Sequence, residues 1–127
     1  IAKNIIKVRP LEKISELVEA IRVATPPKNR NKSIARVFQA IRITVNDELK
    51  KLDEFLSFFY KNLNMGGIIA IISFHSLEDR IVKHQFKKLE KESVLKIITK
   101  RPITPSKKEL NLNSRARSSK LRVAQKV

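Results

Sequence analysis

The sequence predicts an α/β fold that is not self-sufficient, and two patterns predict it. Apolar residues recur at helical spacing over residues 11–24 and again over about 33–62. A run of opposite character then follows: Ile68-Ile69-Ala70-Ile71-Ile72-Ser73 is continuously apolar, rich in β-branched residues and preceded directly by Gly66-Gly67. A strand that is apolar on both faces is expected inside a parallel sheet. Helix, Gly-Gly turn and such a strand make up the αβ half of a βαβ unit. With 127 residues there is room for one compact domain.

The first stripe, Leu11, Ile14, Leu17, Val18 and Ile21, describes an amphipathic helix that Pro10 suits as a start. Thr25-Pro26-Pro27 ends it, because proline disfavours helix in the residue before it, and residues 28–32 read as a basic linker. The second stripe contains Ile34, Val37, Phe38, Ile41, Val45, Leu49, Leu52, Leu56 and Phe59. Asn46-Asp47 inside it marks a bend or a fresh helix start. Asn64-Met65-Gly66-Gly67 closes that element and holds the only two glycines. After the strand, Ser76 and Asp79 form a capping-box pattern that predicts a helix over 77–91. Residues 94–99 read as a strand. Ser119-Lys120-Leu121-Arg122-Val123 alternates polar with apolar, as a half-exposed strand near a sheet edge would. Between these, Pro102 and Pro105 sit in what reads as a long basic loop. Nothing left in the chain can pair the open edge of strand 68–73 or cover its second face, so a missing half is expected on physical grounds.

Composition narrows the partners. Twenty-eight Lys and Arg against 12 Asp and Glu leave a net charge of +16, which favours a polyanion such as nucleic acid. Residues 96–127 hold ten basic residues and one acid, Glu109, a local +9. Absence of cysteine excludes disulfides, zinc-thiolate sites and thiol nucleophiles. The longest apolar run, 66–74, falls far short of the ~20 residues a membrane helix needs. Lys3, Lys7 and Arg9 interrupt any leader, and a cytoplasmic setting is expected. A first residue other than methionine fits a processed product or an excerpt of something longer.

Three blocks carry a family resemblance. They are Arg36-Val37-Phe38-Gln39-Ala40-Ile41-Arg42-Ile43-Thr44-Val45-Asn46-Asp47-Glu48-Leu49, then Ser73-Phe74-His75-Ser76-Leu77-Glu78-Asp79-Arg80-Ile81-Val82-Lys83 after the Gly66-Gly67 strand, then Asn113-Ser114-Arg115-Ala116-Arg117-Ser118-Ser119-Lys120-Leu121-Arg122-Val123. In that order they resemble the C-terminal half of the MraW/RsmH family, the 16S ribosomal RNA cytosine-N4 methyltransferases. The resemblance implies a partial Rossmann-like class I methyltransferase domain over residues 33–127, with residues 1–32 as the end of a helical insertion and a basic linker. It implies S-adenosylmethionine as methyl donor, no metal, and small-subunit ribosomal RNA or the 30S subunit as partner. Lys32-Ser33-Ile34 stand where the family carries a His-Pro pair, so no role for that histidine carries over. The family's glycine-rich loop and acidic ribose-binding residue belong to the other half, so S-adenosylmethionine is expected to be bound there, and this chain alone is expected to be inactive.

The reaction so implied methylates an exocyclic amine whose lone pair is shared with the ring. It demands in-line alignment, an acceptor for the amine proton and an unstacked base. Ser73, Phe74, His75 and Ser76 follow the C-terminal end of the strand, where such a pocket is expected. The plainer reading is that Ser76 caps the helix and His75 packs on the strand end. Gln39, Arg42 and Asn46 share one helical face, either solvated or turned to substrate. Arg80 suits an internal ion pair or a phosphate. Arg115, Arg117 and Lys120 stand among small residues and are expected to take RNA phosphates. Two rival readings remain: a basic RNA-binding protein without catalysis, and a degenerate paralogue that kept only the RNA surface.

Overall fold

A computed structural model describes residues 1–127 in the element order α1, α2, α3, α4, β1, α5, β2, α6, β3. The chain divides into two compact units, Ile1–Glu48 and Leu49–Val127. The segment read as a basic linker, residues 28–32, is itself largely helical. Pro27–Asn29 forms one 3-10 turn and runs directly into α3.

The first unit holds α1 (Ala2–Lys7), α2 (Ile14–Val23) and α3 (Arg30–Val45). α1 lies outside every stripe read from the sequence. Its Asn4 side chain donates to the Ala20 carbonyl of α2 at 2.6 Å. α2 starts at Ile14, and the Glu16 carboxylate accepts from the backbone N–H groups of Glu12 and Lys13 at 2.8 and 3.1 Å, satisfying donors that a helix start leaves open. Ala20 and Ile21 are its buried positions. Thr25 closes the helix by donating its hydroxyl to the Ile21 carbonyl at 2.7 Å. α3 ends at Asn46, and Asp47 takes a left-handed φ of 52°. The break expected at Asn46-Asp47 is therefore a fresh start: α4 runs from Glu48 to Phe58.

The second unit is a three-stranded sheet with α5 (Ser76–Lys91) packed on one face. β1 (Ile68–Ser73), β2 (Leu95–Ile97) and β3 (Lys120–Lys126) are ordered β1-β3-β2, with β3 antiparallel to both neighbours. β1 and β2 are thus parallel to each other, and their C-terminal ends share one end of the sheet. The core joins Leu56 and Phe59 to Val82, Phe86 and Leu89 of α5, Leu95 of β2 and Ala124 of β3, with Ile69 and Ile71 packed against it.

Three expectations are corrected here. β3 is the central strand and not an edge one. Its polar positions misled, because Arg122 faces the buried side, where Asp79 of α5 neutralises it, while Leu121 and Val123 take the more open side. β1 is covered on one face only: Ile68 and Ile72 remain 60% and 58% exposed. Lastly, the long basic loop contains α6 (Lys107–Leu112) and a 3-10 turn, Ser114–Ser118. α6 is nucleated by the Ser106 hydroxyl accepting from the Glu109 N–H at 3.1 Å.

The turn into β1 needs both glycines. Gly66 has a φ of +76°, and its N–H donates to the Lys126 carbonyl at 2.9 Å, joining the turn to the end of β3. A side chain at Gly67 would meet the Asn64 carbonyl oxygen at 2.7 Å and Leu63 Cγ at 2.8 Å. Gly67→Ala is therefore expected to lower the unfolding free energy by about 1–3 kcal/mol, the range for overpacking a closed site. Urea unfolding followed by circular dichroism checks it, and an unchanged midpoint would show that the turn relaxes freely.

Candidate RNA-facing site at the mouth of the sheet

The C-terminal end of β1 delivers Ser73, Phe74, His75 and Ser76 in four successive residues, and strand alternation separates them. Ser73 follows Ile69 and Ile71 onto the α5 side and is only 2% exposed. Its hydroxyl has no hydrogen-bond partner. Phe74 takes the other side with Ile72 and is 55% exposed.

His75, and not Ser76, caps α5. Its Nδ1 accepts from the Glu78 N–H at 3.2 Å, and the Glu78 carboxylate accepts in return from the N–H groups of Phe74 and His75 at 2.8 and 3.3 Å. The capping box read as Ser76 with Asp79 is thus shifted one residue back, because Asp79 is drawn into a different interaction. Since Nδ1 accepts, the neutral ring carries its proton on Nε2. That atom is buried without a hydrogen-bond partner, 3.6 Å from the nearer Glu78 oxygen. Ser76 is exposed.

Asp79 instead bridges α5 and β3. It accepts from Arg122 Nε at 2.7 Å and Nη2 at 3.3 Å, and from Lys120 Nζ at 3.4 Å. The Arg122 hydrogen bonds, aided by the charges of Arg122 and Lys120, hold the carboxyl below the usual aspartate range against the opposing effect of burial. Lys120 therefore shares its charge with Asp79, while Arg80, the next residue along α5, is exposed. No role was read for Arg122, although an arginine at a strand position in the same chain as a first-turn acid was the available signal.

The 3-10 turn Ser114–Ser118 is anchored by buried Ala116, and its start is fixed by the Asn113 side chain accepting from the Arg115 N–H at 3.2 Å. Arg115 and Arg117 are both exposed. Arg115 lines a cleft of about 480 Å³ together with Ile72 and Phe74, so two distant motifs meet at the mouth. Gln39, Arg42 and Asn46 belong to the first unit. There Arg42 clasps Glu48 with two hydrogen bonds, 2.8 and 3.2 Å, and the Asn46 amide reaches the same carboxylate at 3.3 Å. Gln39 is half-buried.

This mixed α/β arrangement with a small three-stranded sheet is consistent with a methyltransferase family. The chain matches the model of the MraW methylase family over residues 1–127, and it belongs to that family. It is 51% identical over 130 residues to the ribosomal RNA small subunit methyltransferase H of Trichodesmium erythraeum, covering 100% of this chain and 45% of that protein. The protein of the same description from Trichormus variabilis is 52% identical over 129 residues, covering 99% of this chain and 41% of the relative. That of Kosmotoga olearia is 50% identical over 132 residues, covering 100% and 44%. The chain thus spans less than half the length of these relatives and corresponds to their C-terminal part. No helix of the chain is long and apolar enough to cross a membrane.

Proposed function

We propose that this chain is the RNA-facing part of an enzyme that transfers a methyl group from S-adenosylmethionine to the N4 amine of a cytosine in small-subunit ribosomal RNA, in the cytoplasm where that RNA is assembled. One observation carries the reading: Phe74 from the β1–α5 turn and Arg115 from the C-terminal motif, far apart in sequence, line one cleft at the strand end where substrates bind in open α/β sheets. Phe74 supplies an aromatic face for an unstacked base. Arg115 and Arg117 supply guanidinium groups to the phosphates beside it. Ser73 Oγ and His75 Nε2 are buried polar atoms in want of partners, which fits contact with a further part of the protein or with substrate. Arg80 and Lys120 in the second unit, and separately Gln39, Arg42 and Asn46 in the first, are further RNA-binding residues in this reading.

The donor does not fit the residues present. Both glycines precede β1, at the end of the strand away from the mouth, and Gly67 is closed by Asn64 and Leu63. We therefore assign S-adenosylmethionine to the part of the full-length relatives that this chain does not span. The same part would cover the open face formed by Ile68, Ala70 and Ile72 and pair the free edge of β1, completing a Rossmann-like sheet. Residues 1–32 would end a helical insertion, and residues 33–127 would form the C-terminal half of the catalytic domain.

The reading is tested with the chain and a small-subunit ribosomal RNA fragment in a filter-binding assay. Binding that weakens linearly on a log–log salt scale is expected, with no methyl incorporation into 30S subunits by the chain alone. Affinity indifferent to salt, or turnover by these 127 residues, would sink it.

A further inference from the structure

We propose that the cleft beside Phe74 reads a pyrimidine, with Glu109 and Asn113 as the residues that select cytosine over uracil. The inference rests on the ribosomal RNA reading above and assigns to it a base-recognition pocket.

Glu109 is the sole acid among residues 96–127, and α6 carries it into the lining of the cleft that Phe74 and Ile72 also line. Its backbone N–H is held by Ser106, yet its carboxylate forms no hydrogen bond or ion pair, despite ten basic residues in the same segment. An ionised carboxylate only accepts hydrogen bonds. Cytosine offers such a group a donor, its N4 amine, whereas uracil presents a carbonyl oxygen at the same position and repels it. Carboxylate to cytosine N4 is a recurring base contact for this reason.

Asn113 supplies the opposite polarity. Its Oδ1 is occupied by the Arg115 N–H at 3.2 Å, which leaves the amide nitrogen as the free end. That nitrogen is a donor and suits the N3 or O2 acceptors of cytosine, while the N3–H of uracil would face it donor to donor. Phe74, exposed on the same cleft, offers a stacking surface of the kind that holds unstacked bases. Arg115 lines the same cleft and is exposed, free to take a flanking phosphate. The volume of about 480 Å³ lies within the usual span of small-molecule sites.

The test titrates the chain with cytidine 5′-monophosphate and, separately, with uridine 5′-monophosphate, followed by NMR. Cytidine monophosphate is expected to shift the Phe74 ring and Asn113 side-chain signals and to bind about tenfold more tightly than uridine monophosphate. Glu109→Ala should collapse that preference to about twofold or less. Glu109 is exposed, so the variant should keep the fold. If it unfolds, Asn113→Ala is read in its place. No binding, equal binding of the two nucleotides, shifts confined to other residues, or a preference that survives both substitutions would each overturn the pocket. Salt-dependent binding of the ribosomal RNA fragment, measured on the same samples, separates those failures from a failure of the RNA reading itself.

Discussion

Asp79→Ala is expected to lower the unfolding free energy of the second unit by about 3–5 kcal/mol, the cost of stripping one partner from a buried ion pair. The Arg122 guanidinium, 7% exposed at residue level, sits between α5 and the centre of β3 with Asp79 on two of its nitrogens. Removing the carboxylate leaves that charge without its counter-ion beneath α5, the helix whose own Phe86 and Leu89 are buried in the core. A double change, Asp79→Leu with Arg122→Met, should recover most of the loss, because apolar replacements of buried pairs are often neutral or better. The pH dependence follows from the direction of the shift. Asp79 titrates lower in the folded state than its ordinary value of 3.8, so its stabilisation is fully present above that value and disappears as the pH falls through the folded pKa. Asp79→Asn should flatten this acid limb while leaving the slope near neutrality unchanged. Urea unfolding between neutral and acid pH measures both effects. A loss of only about 1 kcal/mol or less for Asp79→Ala would mean that solvent screens the pair as it does at a surface.

The same ion pair explains what could and could not be read from the sequence. The existence of β1 and α5 was legible because their signals are local, an apolar run after two glycines and a helical period with acids in the first turn, whereas the parallel pairing expected of β1 is overturned by its antiparallel ladder with β3. The break at Asn46-Asp47 was legible for the same reason. The position of β3 was not. Its Lys120 and Arg122 look like solvent-facing residues until an acid 43 positions before Arg122 turns them inward, and no local pattern contains that partner. α1 and α6, six residues each, are too short to show a periodic stripe, although Ser106 with Glu109 was a visible start signal. In the candidate site, Ser73 to Ser76 are adjacent in the sequence, and the separation of Ser73 from Phe74 follows from the two-residue period of any strand. The cap moved from Ser76 to His75 because Asp79 was already committed to Arg122. The meeting of Phe74, Glu109 and Arg115 depends on a turn folding back beside β1, which single-sequence periodicity does not encode.

Replacing Arg115 and Arg117 together with alanine is the second large effect, and it falls on RNA binding with the fold retained. Both side chains are exposed, and the buried member of their turn is Ala116, which the change leaves in place. The thermal midpoint should therefore stay close to that of the parent chain, in contrast to Asp79→Ala. Each guanidinium that neutralises a phosphate releases a counter-ion, so losing two contacts should flatten the log affinity against log salt slope by about 1.4 on single-stranded RNA. At low salt the affinity should fall by roughly tenfold or more, and the difference from the parent should shrink as salt rises. Lys120→Ala is the informative contrast. Lys120 shares its charge with Asp79, so its removal should change the slope less than removal of Arg115. Filter binding at four or five salt concentrations resolves these slopes. An unaltered slope in the Arg115 and Arg117 variant would place the phosphate contacts elsewhere among the basic residues, and would leave the cleft at the end of β1 without its route to RNA.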